Sequence, residues 1–265
     1  MKDKCLIGFS FDDGRIDNYT IVRPILKEFK LPATFNVTTG YIRGDKTNRP
    51  TDVAPMNENM IKELYNDGLF EIAGHGYHHE NSIDDILKGI SELKKIQGTT
   101  SLTKYGNGFA SPGTGLARPV WNELRSHNIV YARLSLTYKR HAMFKAYCRK
   151  ASRILHLPLL YRLAYEDTLM SETQDGILYS IPVLSSIKLR ELRAIIKYAV
   201  KKRQCLVLMF HSIVPDMGGV HDNWDFEVSK FRELCNYLCT LQEKGVLAVK
   251  TSMDIYNYLK DKNNV

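Results

Sequence analysis

Two adjacent carboxylates, Asp12 and Asp13, follow the apolar run CLIGFSF and stand directly before a glycine. Further along the chain, the segment EIAGHGYHHE places His75 and His79 four residues apart, and His211 ends the apolar run LVLMF. An Asp-Gly pair by itself is typical of a turn. Together, however, two imidazoles and one carboxylate provide three protein ligands and leave room for water, which is the arrangement of a hydrolytic metal site.

Strand-like runs alternate with amphipathic helical patterns along most of the chain. The runs are short, apolar and rich in β-branched or aromatic residues, and the segments between them have apolar residues at three-to-four spacing. The runs read CLIGFSF, ATFNVTTGYI, LFEIAGHG, NGFASP, IVYARLSL, LYSIPVLS, QCLVLMFHS and VLAVKTS. Repeated strand–helix units predict a parallel sheet, and seven to eight strands predict a distorted (β/α) barrel. We expect one domain over residues 1–265.

Enzymes built on such barrels carry their sites at the C-terminal ends of the strands. The two aspartates end the first run, His75 ends the third, FASPGTG follows the fourth, and His211 ends the run LVLMF. We therefore expect these groups to converge on one face of the barrel. His75 and His79 would face one ion if their segment turned helically, whereas His78 would point elsewhere.

The segment 138–165 interrupts the alternation. It is helical in pattern and carries seven Lys or Arg residues, and Pro158 is expected to interrupt the helix. A solvated helical insert packed on the barrel would account for this segment. Its apolar residues, among them Met143 and Phe144, also fit a basic amphipathic lid that contacts an anionic membrane surface or a phosphorylated lipid carrier.

The composition is that of an ordinary globular protein, with 44% hydrophobic and 25% charged residues. The net charge of +8 permits an anionic partner, but no nucleic-acid-binding motif accompanies it, so we expect no nucleic acid. Five cysteines with scattered spacing favour free thiols in a reducing compartment. Neither a signal peptide nor a run of membrane-spanning length is visible. We expect a cytoplasmic protein, and contact of 138–165 with the inner face of the membrane stays open as the alternative to a solvated insert.

With these motifs in place, the sequence resembles the polysaccharide deacetylase family, the NodB-homology group of carbohydrate esterases. FSFDDG is similar to the family's first motif, T-F-D-D-G, and EIAGHGYHH is similar to the second, H-[S/T]-x-x-H. FASPGTG occupies the place of the third motif, VYARLS resembles the segment after it, and LVLMFHS resembles the last motif. The resemblance runs from Phe9 to about Ile255 with the motifs in the same order.

The resemblance implies a role for each matching residue. Asp12 would be the general base and His211 the general acid, and Asp13 would bind one divalent metal ion together with His75 and His79. The ion would be zinc, with cobalt, nickel or manganese as alternatives. Such an ion polarises a carbonyl group and lowers the pKa of water.

Three further residues are assigned to the substrate side of the site. Gly113 would offer its backbone N–H to the oxyanion, Trp224 would form a wall of the sugar site or pack under a loop, and Arg133 would supply a guanidinium. The family's third motif opens with an Arg that orients the base, whereas this sequence has Ala110 there. Arg133, from the next predicted strand, is the candidate replacement.

The resemblance implies a metal-dependent hydrolase that removes an N-acetyl or similar small acyl group from an amino sugar. The sugar would belong to a cell-surface glycan or to a lipid-linked or nucleotide-linked precursor. Three alternatives stay open: a non-catalytic glycan-binding relative, a hydrolase of another C–N bond such as a cyclic imide or ureide, and a membrane-surface scaffold that uses 138–165.

Overall fold

The computed structural model describes residues 4–98, 107–113, 115–135, 142–173, 175–216 and 222–263. Ten strands and ten α-helices are found within these ranges. The strands are β1 Cys5–Phe11, β2 Ala33–Val37, β3 Phe70–Gly74, β4 Gly108–Ala110, β5 Tyr131–Leu134, β6 Ile177–Pro182, β7 Leu206–Phe210, β8 Ser212–Val214, β9 Asp225–Glu227 and β10 Leu247–Lys250. The α-helices are α1 Arg23–Phe29, α2 Thr39–Ile42, α3 Glu58–Asn66, α4 Ile83–Gln97, α5 Arg118–Ser126, α6 Ala142–Leu155, α7 Pro158–Tyr165, α8 Leu189–Lys202, α9 Val228–Glu243 and α10 Ser252–Asn263.

Eight of the strands form one parallel sheet in the order β10-β1-β2-β3-β4-β5-β6-β7, and β7 pairs back onto β1. The result is a closed seven-stranded barrel with β10 as an extra strand, which confirms the predicted distorted (β/α) barrel. The distortion is located at β1. The first half of β1 pairs with β10 (Cys5 with Leu247), whereas its last two residues, Ser10 and Phe11, pair with β2.

The two faces of β1 have different partners. Phe9 and Phe11 point outward and pack on Phe231 of α9, with ring centroids 5.5 and 5.9 Å away. Ser10 lies on the opposite face, inside the barrel, where its hydroxyl accepts a hydrogen bond from Asn36 of β2 (2.7 Å). Because side chains alternate along a strand, Asp12 continues the inward row that Ser10 begins.

One predicted strand is shorter in the structure, and the predicted helical insert agrees with it. The run ATFNVTTGYI ends its strand at Val37, and Thr39–Ile42 forms the short helix α2 instead. The basic insert consists of two helices, α6 and α7, and the predicted interruption is confirmed because Pro158 is the first residue of α7. Residues 138–141 of the predicted insert lie outside the described residues. Among the helices that the structure describes, none is both long and apolar enough to cross a bilayer.

A buried carboxylate joins three strands to the last helix. Glu71 of β3 is fully buried and accepts hydrogen bonds from the hydroxyl groups of Thr34 on β2 (2.8 Å) and Tyr131 on β5 (2.7 Å). It also accepts one from the backbone N–H of Met253 at the start of α10 (3.0 Å). The barrel wall and α10 thus share one acceptor.

We expect Glu71→Met to lower the free energy of unfolding by about 3 kcal/mol or more, because three buried donors would lose their acceptor at roughly 1–3 kcal/mol each. Chemical denaturation measures this loss. Tyr131→Phe is the graded control, since it removes a single bond and should cost about 1 kcal/mol. A Glu71→Met protein as stable as wild type would show that this network does not stabilise the barrel.

Candidate active site

The chain reverses direction immediately after β1, and this turn carries both aspartates. Asp13 and Gly14 both have positive φ angles, +73° and +72°. Aspartate is one of the few non-glycine residues that tolerate this left-handed conformation. On an extended backbone Asp12 and Asp13 would point to opposite faces. The turn at Asp13 and Gly14 instead brings both carboxylates to the C-terminal end of the barrel.

Asp13, His75 and His79 form a cluster with the geometry of a metal site. One ligand atom from each residue lies within 4.8 Å of the others. The Nε2 atoms of His75 and His79 each lie 3.5 Å from Oδ1 of Asp13. That oxygen is buried and has no hydrogen-bond partner among the residues described. Because a buried carboxylate oxygen without a partner is costly, the cluster is best explained as a set of ligands for a cation.

The two imidazoles are prepared to act as ligands. Nδ1 of His75 lies 2.8 Å from the carbonyl oxygen of Ala110. A carbonyl only accepts, so Nδ1 carries the proton and Nε2 presents its lone pair to the cluster. Burial, together with the neighbouring His75, lowers the pKa of His79 to about 4. His79 is therefore neutral at pH 7, which is the state that binds metals.

The segment between the two histidines is a bend and not a helical turn, yet it brings both imidazoles to the same oxygen of Asp13. Gly76 and His79 have φ angles of +79° and +62°, which a right-handed helix excludes. Asp85, in the first turn of α4, fixes the bend by accepting hydrogen bonds from three backbone N–H groups. The donors are Tyr77 (3.0 Å), His78 (2.7 Å) and Glu80 (3.1 Å). His78 points away from the cluster and contacts Asp45, as predicted.

We expect Asp85→Ala to weaken metal binding about 10- to 100-fold, because the bend that holds His79 would lose its common acceptor. Competition with a chromogenic chelator measures this affinity. Asp84→Ala is the matched control, since Asp84 lies beside Asp85 in the same turn but is exposed. Equal losses in the two variants would mean that the helix start, and not the bend, governs the affinity.

Arg15 holds the other oxygen of Asp13. Its Nε donates to Oδ2 at 3.0 Å and its Nη2 lies 2.8 Å from the same atom, and both side chains are buried. Burial by itself would raise the pKa of Asp13, but His75, His211 and Arg15 outweigh it and hold the pKa well below its usual range. Asp13 is therefore ionised, and its free oxygen Oδ1 is directed to the histidines.

Asp12 is held by two donors that bind the same oxygen. Asn36 of β2 donates to Oδ1 of Asp12 at 2.8 Å, and Nη2 of Arg133 on β5 forms an ion pair with the same atom. Burial would raise the pKa of Asp12, but Arg133, aided by His75 and His211, lowers it below its ordinary value. Asp12 is therefore a carboxylate at neutral pH with Oδ2 left to face the cavity.

His211 follows β7 and lies under the indole of Trp224, with ring centroids 4.3 Å apart. Its backbone carbonyl accepts a hydrogen bond from Asn18 (2.9 Å), which fixes the strand end. Burial lowers the pKa of His211, although Asp13 and Asp12 offset part of this effect. Its Nδ1 has no hydrogen-bond partner among the described residues.

A cavity of about 200 Å³ connects these groups. Its lining includes every predicted catalytic and ligand residue except Asp13, which contacts the lining residues Arg15, His75 and His79. Gly113 and Trp224, from the predicted substrate side, also line it. The full lining is Asp12, Arg15, Pro50, His75, His79, Gly113, Ser135, Met209, His211 and Trp224. Arg133 is fully buried behind Asp12 and does not line the cavity. Its contact is therefore with the carboxylate of Asp12 and not with a bound molecule.

Sequence reasoning missed three residues that position the site. Arg15 and Asn36 contact the two aspartates, and Asp85 holds the histidine bend. Arg15 was visible as the residue that follows FSFDDG, but nothing in the spacing shows that it turns back to Asp13. Asn36 offered a signal, since it is an amide within the otherwise apolar run ATFNV and must find partners where it is buried.

The fold and this cluster define a closed (β/α) barrel with a three-ligand candidate metal site at its strand ends. A family model described as polysaccharide deacetylase matches residues 2–132. That range contains Asp12, Asp13, His75 and His79 but ends before Arg133 and His211. The resemblance to the polysaccharide deacetylase family seen in the motifs is thus confirmed, by a match that covers about half of the chain.

Individual relatives agree with this assignment. The poly-beta-1,6-N-acetyl-D-glucosamine N-deacetylase of Staphylococcus aureus is 32% identical over 103 residues, which are 37% of this chain and 34% of that protein. The chain therefore matches about a third of the length of this curated relative. A solved structure from Mycobacterium smegmatis, assigned provisionally to the polysaccharide deacetylases, aligns over 99% of this chain and 92% of its own. Its TM-score of 0.61 at 16% identity shows a shared fold.

Proposed function

We propose that this chain is a metal-dependent hydrolase that removes an N-acetyl or similar small acyl group from an amino sugar. The observation that carries the proposal is the convergence of Asp13, His75 and His79 on one point beside a cavity that Asp12 and His211 line. The family assignment and the Staphylococcus aureus relative, which is named as an N-deacetylase, support the reaction type.

The residues present fit a divalent transition ion. Asp13, His75 and His79 would hold it, because Oδ1 of Asp13 lacks another partner and Nε2 of His75 presents a lone pair. Two imidazoles and one carboxylate suit zinc, and also cobalt, nickel or manganese. When bound, the ion would supply a Lewis acid that makes water a better nucleophile at neutral pH and polarises the acyl carbonyl.

Asp12 is the proposed general base. It is ionised at pH 7 because Arg133 and its neighbours hold its pKa down. Asn36 and Arg133 both bind Oδ1, so Oδ2 is the oxygen that takes the proton of the attacking water. Fixing one oxygen directs the other toward the cavity and removes the need to reorient the carboxylate during the reaction.

His211 is the proposed general acid. Its lowered pKa means that it rests neutral, so it must gain a proton before it can protonate the departing amine. Asp12 lies in the same cavity and is the proposed source of that proton. As water adds to the carbonyl carbon, Asp12 takes one of its protons and passes it to His211. His211 then gives that proton to the departing amine, the C–N bond breaks, and the products are a carboxylic acid and a free amine. Gly113, which lines the cavity, is the proposed backbone donor to the oxyanion.

The cavity volume favours a small acyl group. About 200 Å³ accommodates an acetyl group and the adjoining part of one sugar ring, and the remainder of a longer glycan would lie outside. Trp224 offers an aromatic face to that sugar. The proposed substrates are amino-sugar polysaccharides or their lipid-linked or nucleotide-linked precursors. A cytoplasmic site of action is part of the proposal, supported by five cysteines that are all free.

The position of Arg133 is evidence against the alternative of a non-catalytic glycan-binding relative. That alternative was motivated by Ala110, which replaces the arginine that orients the base in the family's third motif. Ala110 and Arg133 are register partners on β4 and β5, and Arg133 makes the ion pair with Asp12. The orienting guanidinium is thus supplied from the neighbouring strand, which supports a catalytic site.

Metal analysis tests the proposal directly. We expect about one divalent transition ion per chain in wild type and its loss in His75→Ala/His79→Ala. His78→Ala is the matched control, because His78 lies between the two ligands but points to Asp45. Wild-type protein that takes up no zinc, cobalt, nickel or manganese would overturn the proposal. Loaded protein is then screened for acetate release from N-acetylglucosamine oligomers, and turnover of cyclic imides alone would assign the site to the other C–N bond class.

A further inference from the structure

The outward face of α6 is apolar. Met143, Tyr147 and Ile154 are 90%, 71% and 70% exposed. With the exposed Lys150 they occupy positions i, i+4, i+7 and i+11, which form one stripe along a helix. Phe144 and Leu155, each more than half exposed, widen this stripe. A solvated helix would present its polar residues on this side.

The inward face of the same helix carries no large apolar side chain. Lys145 and Ser152 are buried beside Cys148, which packs in the hydrophobic core, and Nζ of Lys145 pairs with Glu166 at 3.0 Å. The large apolar side chains of α6 thus face outward, whereas a helix packed on a water-soluble barrel directs them inward. Because polar contacts fix the inward side, rotation of α6 to bury its apolar stripe would break the Lys145 ion pair.

The apolar surface continues beyond α6 and ends at a cationic groove. Leu157 and Leu159, at the start of α7, are 49% and 56% exposed. Leu159 also lines a groove between α7 and α8 together with three cations, Arg162, Lys197 and Lys201. No carboxylate among the described residues forms an ion pair with any of these three side chains. The groove thus joins exposed apolar side chains to positive charge without a counter-ion.

Most of the net positive charge of the chain lies in residues 138–165. Residues 138–165 contain seven Lys or Arg and no Asp or Glu, so they account for seven of the eight net positive charges. The described part, 142–165, contributes five of the seven cations. Within the part of the chain that the structure describes, eight large hydrophobic side chains are exposed; seven lie between Met143 and Leu159, and the eighth is Val246. Apolar exposure and positive charge therefore coincide in one segment.

We propose that α6 and the α6–α7 junction, hereafter the α6 face, dock on an anionic lipid bilayer. Apolar side chains of the α6 face enter the interfacial layer, while Lys150, Arg153 and the groove cations bind lipid phosphates. Cations and apolar residues alternate along the α6 face. An anionic bilayer is complementary to both, because its interior is apolar and its headgroups are negatively charged. A protein partner of matching apolar shape would not account for the absence of acidic residues across this segment.

Docking would keep the cavity near the lipid surface. Ser135 lines the cavity, and six residues separate it from Ala142, the first residue of α6. A chain of that length spans at most about 25 Å. The α6 face is thus tethered close to the mouth of the site. The docking proposal rests on the surface alone and stands independently of the proposed catalytic function.

Vesicle co-sedimentation tests the docking. We expect wild-type protein to bind vesicles containing about one-third phosphatidylglycerol in phosphatidylcholine, and to bind phosphatidylcholine alone at least about tenfold more weakly. Met143→Ser/Tyr147→Ser/Ile154→Ser should weaken binding to the anionic vesicles about tenfold or more, since it removes apolar surface without changing charge. Val246→Ser, at the exposed hydrophobic residue outside the segment, is the matched control.

A second pair of variants tests the charge. Lys150→Gln/Arg153→Gln should weaken binding about 30-fold at low salt, whereas Lys62→Gln/Lys244→Gln removes two exposed cations elsewhere and should leave binding unchanged. Circular dichroism verifies that each variant is folded. The His75→Ala/His79→Ala protein should bind vesicles as wild type does, which separates docking from the proposed chemistry.

Two results would overturn the docking proposal. The first is wild-type protein that stays in the supernatant with anionic vesicles, or a serine variant that binds as wild type does. The second is a dimer in sedimentation velocity that the same serine variant dissociates, because the α6 face would then be an interface between two copies of this chain.

Discussion

We expect Asp12→Asn to hydrolyse its N-acyl substrate about a thousandfold more slowly than wild type while it retains its metal ion. The asparagine keeps the shape of the side chain and an oxygen for Asn36 and Arg133, but it cannot accept the proton of the attacking water. The loss should appear in kcat, measured as acetate release on the substrate found in the screen. Metal content, measured on the same samples, should equal that of wild type.

Measuring activity and metal content separately distinguishes the roles of the adjacent aspartates. Asp13→Asn should lose metal and activity together, because Asp13 supplies a ligand oxygen. Asp45→Asn is the control, since Asp45 contacts His78 on the outer side of the bend and should leave both readouts unchanged. Activity of Asp12→Asn within tenfold of wild type would remove Asp12 from the role of base, and loss of its metal would make it a ligand.

We expect Arg133→Met to lower the free energy of unfolding by about 3–5 kcal/mol, because it leaves the carboxylate of Asp12 buried without its cation. Both partners are almost completely buried. Denaturant titration measures the loss. The double variant Asp12→Leu/Arg133→Met removes both charges and should be more stable than Arg133→Met. If Arg133→Met unfolds at the wild-type denaturant concentration, the ion pair does not stabilise the barrel.

The register of β4 and β5 allows a sharper test of the guanidinium. Ala110 and Arg133 are paired residues of parallel strands, so their side chains project to the same side of the sheet. Ala110→Arg/Arg133→Ala moves the guanidinium to the position that the family's third motif uses. We expect the exchanged protein to recover activity that Arg133→Ala alone loses. Equal activity of the exchanged and single variants would show that Arg133 acts through packing.

Much of the barrel was predictable because its strands carry strong local signals. Each run is short and rich in apolar, β-branched or aromatic residues, and the alternation with helices determines the topology. The strand-end rule then placed Asp12, His75 and His211 on one face. The end of β2 was not predictable in the same way, since β-branched residues at Thr38 and Thr39 continue the strand pattern into what becomes α2.

Local sequence signals do not report the contacts that position Asp12. The bonds from Asn36 to Asp12 and from Arg133 to Asp12 join residues 24 and 121 positions apart. Arg133 was a candidate only through the comparison with the family's third motif, and Asn36 was not assigned to the site at all. The spacing of four between His75 and His79 did not reveal the bend, because a helical turn and a bend fixed by Asp85 share that spacing.

β1 pairs with three strands, β2, β7 and β10, and this limits the order in which the barrel can form. Cys5 pairs with Leu247, 242 positions later in the chain, and β7 must also arrive before the barrel closes. The three candidate metal ligands, in contrast, lie within residues 13–79, just after the first and third strands. Contacts so distant in sequence make folding slow, and β1 keeps unpaired backbone edges until its late partners arrive. During synthesis this strand therefore exposes an unpaired edge for longer than a strand whose partners are its neighbours in the sequence.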